Sequence, residues 1–117
     1  MTKLRVLIAF EDAYRLYGET IAGAIAAMRP RVEVATTEVR ALETEARVFE
    51  PHVIISSLPY GAANLDGFVA WVQIPSLPPQ PIKICTERRQ WQASDSPTDE
   101  ILSVVDEVEK LVRNQAP

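Results

Sequence analysis

The stretch PHVIISSLPYG, residues 51–61, decides how this chain is read. Val53, Ile54 and Ile55 form a continuous apolar run, with Pro51 before it and Pro59 and Gly61 after it. A short β-branched run bounded by chain-breaking residues is expected to be a strand buried on both faces. In α/β sheets, the carboxyl ends of such strands are where ligands are placed. Here the residues delivered to that edge are Ser56 and Ser57, two weak hydroxyls with no acid or base beside them in the sequence.

Working outward, LRVLIAF (4–10) is a second nearly continuous apolar run and is expected to be a central strand. Between the two runs the period changes. Tyr14, Tyr17, Ile21, Ile25 and Met28 recur at helical spacing over 13–29, and Pro30 stops that helix. VEVAT (32–36) is a short strand, and Val39, Leu42, Ala46 and Phe49 mark a helix that Pro51 closes. Phe68, Trp71 and Val72 suggest a short third helix ended by Pro75. The proline-rich PSLPPQP (75–81) is an extended connection, IKICT (82–86) a fourth strand, and 87–96 a loop. Ser96, Pro97 and Asp99 cap a final helix whose buried stripe is Ile101, Val105, Val108 and Val112. Strands that alternate with single helices imply an α/β fold, a parallel sheet with helices on both faces.

Composition narrows the function classes. A length of 117 residues fits one domain, residues 1–117, and 47% hydrophobic against 24% charged residues suits one packed core. A net charge of −4 makes a nucleic-acid backbone an unfavourable partner. Cys85 is the only cysteine, so no internal disulfide and no multi-cysteine metal site can form, which fits a cytoplasmic setting. No signal-peptide pattern opens the sequence and no apolar run is long enough for a membrane span, so no membrane partner is expected.

The residues at the expected strand ends carry a family resemblance. LRVLIAFED, EPHVIISSLPYGAANLDG and PIKICT resemble the first strand with its acidic pair, the third strand with its loop, and the fourth strand with its switch hydroxyl in the receiver domains of two-component response regulators. The resemblance implies a flavodoxin-like, receiver-like three-layer sandwich with strand order 2-1-3-4. It places Glu11, Asp12, Ser57 and Thr86 in one pocket, with Glu11 and Asp12 as weak ligands for Mg²⁺.

The same comparison shows what is missing. Receiver chemistry uses an aspartate at the end of the third strand as phosphoryl acceptor, and Mg²⁺ to neutralise the incoming charge. That position falls on Ser57, a poor nucleophile without a base, while the only histidine, His52, begins the same strand. The family's lysine is absent too: Lys83 lies inside the fourth strand and Lys110 deep in the last helix. Only ten residues, 87–96, separate Thr86 from the last helix, so the fifth strand is expected to be missing or replaced by an irregular segment. The fourth strand would then be an exposed edge carrying Ile82 and Ile84, a surface for self-association as a homodimer. Arg88, Arg89 and Trp91 add residue types that suit a protein interface.

The expectation is therefore a degenerate receiver without a required cofactor, acting as a protein-interaction module in bacterial signalling or transcription regulation and not as an enzyme. Two alternatives use the same frame. One is a phosphocarrier with Ser57 or Cys85 as acceptor, although the four glycines are isolated and form no phosphate loop. The other is a small-ligand site where Tyr60 and Trp91 stack on a ring.

Overall fold

Strand β1 (Arg5–Phe10) is the spine of the molecule. From Val6 to Phe10 every residue is buried, and successive side chains supply opposite layers. The structure, a computed structural model, describes residues 3–58, 67–74, 82–86, 90–93 and 97–115. Within them the chain continues through α1 (Arg15–Met28), β2 (Glu33–Glu38), α2 (Leu42–Phe49), β3 (Val53–Ser56), β4 (Ala70–Gln73), β5 (Ile82–Thr86), β6 (Gln90–Ala93) and α3 (Pro97–Gln115). One-turn 3₁₀ segments at Asp12–Tyr14 and Val39–Ala41 lead into α1 and α2.

The sheet has six strands in the order β2-β1-β3-β4-β5-β6. The first three pairings, β1 with β2, β1 with β3 and β3 with β4, are parallel. The next two, β4 with β5 and β5 with β6, are antiparallel. The α/β class is as the sequence suggests, but the sheet is mixed and larger than expected.

Three local differences produce this. The apolar run at 68–72, expected to be a helix, forms β4. Its side chains alternate: Ala70 and Val72 join the layer of α1 and α3, while Trp71 joins the layer of α2. In so short a run, helical and strand spacing are easily confused, and the β-branched and aromatic residues favour the strand. Second, β5 runs antiparallel to β4, because the eight residues 74–81 are too few for a parallel crossover, which takes a dozen or more. Third, the segment expected to be loop contains β6, reached from β5 by the three residues 87–89.

β5 is consequently an interior strand. Ile82 and Ile84 are 3% and 0% exposed and belong to the core, so they offer no interaction surface. The exposed edge that suggested a homodimer does not exist at 82–86.

Two apolar layers hold the sheet. Val6, Ile8, Phe10, Val53 and Ile55 pack with Ile21 and Ile25 of α1 and with Ile101, Leu102, Val105 and Val108 of α3. On the other face Leu7, Ala9, Ile54 and Trp71 pack with Leu42 and Ala46 of α2. Burying an aliphatic side chain of this size stabilises the fold by about 1.5–3 kcal/mol, so these layers dominate its energetics. At the carboxyl end of α1 the guanidinium of Arg29 forks onto Asp106 of α3, donating from Nε to Oδ1 at 2.7 Å and from Nη2 to Oδ2 at 2.8 Å. At the end of α2, Glu50 takes up the left-handed conformation with φ of 53°, a position that glycine fills without strain. Pro51 follows and turns the chain into β3.

Candidate functional site at the carboxyl edge of the sheet

β1 and β3 are adjacent and parallel, so their ends deliver Glu11, Asp12, Ser56 and Ser57 to the same edge. The turn leaving β3 is fixed from two sides. The hydroxyl of Ser56, wholly buried, accepts the N–H of Leu58 at 3.1 Å. The indole Nε1–H of Trp71, reaching over from β4, donates to the carbonyl of Leu58 at 2.9 Å. The Ser56 carbonyl in turn accepts the N–H of Ile74 at 2.9 Å, which carries the β3–β4 pairing past the last strand residue. Ser57 Oγ is buried and has no hydrogen-bond partner among the described residues.

The acidic pair is arranged differently. Glu11 and Asp12 are exposed, and the Glu11 carbonyl accepts the N–H of Tyr14 at 2.8 Å to close the 3₁₀ turn. Asp12 lines a groove of about 150 Å³ between the ends of β1 and β2 and the start of α1, together with Arg15, Glu19, Thr36, Thr37 and Glu38. Arg40 holds Glu38 at 2.9 Å, and that hydrogen bond, with Asp12 adding its charge, raises the guanidinium above its ordinary range. Gly18 forms part of the groove wall, where a Cβ would lie 2.7 Å from Phe10 Cδ2, so the helix approaches the strand closely only with glycine there. Among the described residues, no three histidine, cysteine, aspartate or glutamate side chains gather as a metal site. Glu11 and Asp12 thus remain two exposed carboxylates without a third such ligand among those residues.

Thr86 is not part of this edge. It pairs with Ala70, and Ala70 pairs with Val53, the first residue of β3. Reversal of β5 therefore sets Thr86 at the amino end of β3, about 10 Å along the strand from Ser56. The same reversal brings in a residue the sequence did not nominate. Lys83 pairs with Gln73, which pairs with Ser56, so Thr37, Ala9, Ser56, Gln73, Lys83 and Gln92 form one level across six strands. The signal that points to Lys83 is the shortness of the 74–81 connection, which dictates the strand's direction.

The other candidates are placed as follows. Trp91 is half-buried against the α1–α3 layer, with its Nε1–H donating to Glu100 Oε1 at 3.2 Å. Arg88, Arg89 and Tyr60 lie outside the described residues. Cys85 is half-buried on the α2 side, and burial raises its thiol, with Lys83 opposing that shift to a lesser degree. A protonated thiol is a weak phosphoryl acceptor. His52, at the amino edge, accepts the Arg5 N–H on Nδ1 at 3.0 Å. Burial first, and the charge of Arg5 second, lower its pKa, so it is a neutral pin between β1 and β3 and far from Ser57.

Beyond the reach of α2, the same face of β4–β6 opens into a second groove of about 430 Å³, lined by Trp71, Gln73, Lys83, Cys85, Gln90 and Gln92. Lys83, Gln90 and Gln92 are exposed.

In comparisons with protein-family models, with curated proteins and with solved structures, nothing matches this chain. Its class rests on its own architecture, an α/β domain with a six-stranded mixed sheet. No helix among the described residues is long and apolar enough to cross a membrane.

Proposed function

We propose that this chain is a receiver-like, flavodoxin-derived binding module that recognises a protein partner without aspartyl phosphorylation. The observation that carries the reading is the end of β3. A phosphoryl acceptor needs a carboxylate or an activated nucleophile there, and the residues present are Ser56, committed to the Leu58 N–H, and Ser57, with no base beside it among the described residues. The β1-α1-β2-α2-β3 half supports the receiver-like part of the proposal, with strand order 2-1-3 and an acidic pair after β1. The β4–β6 half differs from the receiver pattern in direction and connection. Such a domain exerts its effect through contact, and partner recognition in bacterial signalling or transcription regulation is the function class that fits.

The test is incubation of the protein with acetyl phosphate and Mg²⁺, followed by intact mass measurement. The expected spectrum shows the unmodified chain. A stable phosphorylated species on Glu11, Asp12 or Ser57 would refute the proposal.

A further inference from the structure

We infer that protonation of His52 unlocks the amino edge of the sheet and releases the left-handed turn at Glu50, which makes the α2–β3 junction an acid-operated hinge; the device does not depend on what the module binds. Arg5 and His52 exchange two hydrogen bonds at this edge. The His52 N–H donates to the Arg5 carbonyl at 2.9 Å, and the Arg5 N–H donates to Nδ1 of the imidazole at 3.0 Å. Regular pairing of β1 with β3 begins one residue further in, at Val6 and Val53, so the ring stands in for the next backbone acceptor of the ladder. The same two residues also reach outward. The His52 carbonyl accepts the N–H groups of Val69 at 2.7 Å and Ala70 at 3.2 Å, and Arg5 Nε donates to the Glu50 carbonyl at 2.8 Å. Glu50, with φ of 53°, holds a conformation that a non-glycine residue keeps only where its surroundings enforce it. Here the enforcing contacts are the Arg5 bond and the Glu50 N–H to the Ala46 carbonyl at 2.9 Å.

One proton reverses this arrangement. An imidazole that accepts at Nδ1 is neutral, with its proton on Nε2; a second proton, on Nδ1, turns the acceptor into a donor facing the Arg5 N–H. Two donors cannot share that contact, so the ring has to turn away, and its new charge is repelled by the Arg5 guanidinium. Arg5 then responds at both of its contacts, the N–H that loses its acceptor and the Nε that holds Glu50. Burial first, and Arg5 second, disfavour the charged ring, so the unlocking falls below the ordinary histidine value of 6.5. Among the described residues, the charged groups around the ring are Arg5 on β1 with Lys3 before it, Glu33 paired with Arg5 on β2, and Glu50 on the turn; Val69 and Ala70 bring none from β4. Lys3, Glu33 and Glu50 are exposed, and the shift is downward with all of them in place. Further in, Val6–Phe10 and Val53–Ile55 are apolar and buried and have nothing to titrate, which confines the opening to the edge.

His52 is the only histidine of the chain, so its imidazole titration is read without ambiguity. The experiment takes the full chain, ¹⁵N-labelled, from about pH 7.5 to about pH 4.5 and records the imidazole proton signals together with backbone amide hydrogen exchange. The ring is expected to titrate below 6.5. The protection factor of the Arg5 amide is expected to fall about ten-fold along the same curve, with the Glu50 amide following, while Ile8 and Ile55 keep theirs. His52→Asn, whose side-chain carbonyl accepts without titrating, is expected to keep Arg5 protected at both ends of the range. His52→Leu, which has no acceptor, is expected to show the low level throughout. Three results would overturn the inference: Arg5 protection that ignores the titration of the ring, loss of protection at Ile8 and Ile55 together with Arg5, or an acid-dependent loss in His52→Asn equal to that of the parent.

Discussion

The two halves of the sheet are built on different rules. In β1 and β3 nearly every residue is apolar and buried, because helices cover both faces. In β5 and β6 the pattern alternates: Ile82 and Ile84 point into the α3 layer, while Lys83, Gln90 and Gln92 face outward. One half is a three-layer sandwich and the other has a polar face beyond α2. The first half holds most of the buried core, and the second leaves Lys83, Gln90 and Gln92 exposed.

If that contrast is real, substitutions should separate by half. The largest effect is expected from Ile55→Ala in β3, a fully buried position, at about 2–5 kcal/mol lost in urea unfolding followed by circular dichroism. A loss under about 1 kcal/mol would mean that the first half is not the stabilising one. Next is Glu50→Gly at the left-handed residue between α2 and β3, expected to gain about 0.5–1 kcal/mol. There the relief of strain exceeds the added freedom of the unfolded chain, and a net loss would contradict the assigned backbone conformation.

Acid should act more gently, through two groups. His52 has a lowered folded pKa, so its contribution is present above the unfolded histidine value, near 6.5, and falls away as pH drops through the folded value. Asp106 is lowered chiefly by its hydrogen bond to Arg29, so its contribution persists above the unfolded aspartate range and disappears as pH falls below it. Unfolding curves at a series of pH values should therefore show a first decline that His52→Phe removes, and a later one that Asp106→Asn removes. The smallest effect is expected from Gln92→Thr on the polar face, within about 0.5 kcal/mol of the parent. A larger change there would show that the outward face of β6 is packed against something.

The same contrast explains what the sequence revealed. The first half was legible because its signals are long and agree: an apolar run at 4–10, helical spacing from Tyr14 to Met28, and a second run closed by Pro59. Pro97 likewise marked the start of α3. The second half was not, because β4 and β6 are four residues each, and Trp91 is the one large apolar residue of β6. Direction mattered most. Treating 82–86 as parallel put Thr86 beside Ser57 and hid Lys83; counting the eight residues of 74–81 against the length of a parallel crossover would have reversed both. Of the expected pocket, Glu11, Asp12 and Ser57 share an edge and Thr86 does not.

The reversal of β5 is the claim on which the site and the groove both depend. Interstrand proton–proton contacts in an NMR spectrum of the labelled chain test it directly. The account predicts contacts between Gln73 and Lys83 and between Ala70 and Thr86, with Lys83 also contacting Gln92. Contacts between Gln73 and Cys85, with Ala70 beside Ile82, would contradict it by restoring a parallel strand and returning Thr86 to the edge that holds Ser57.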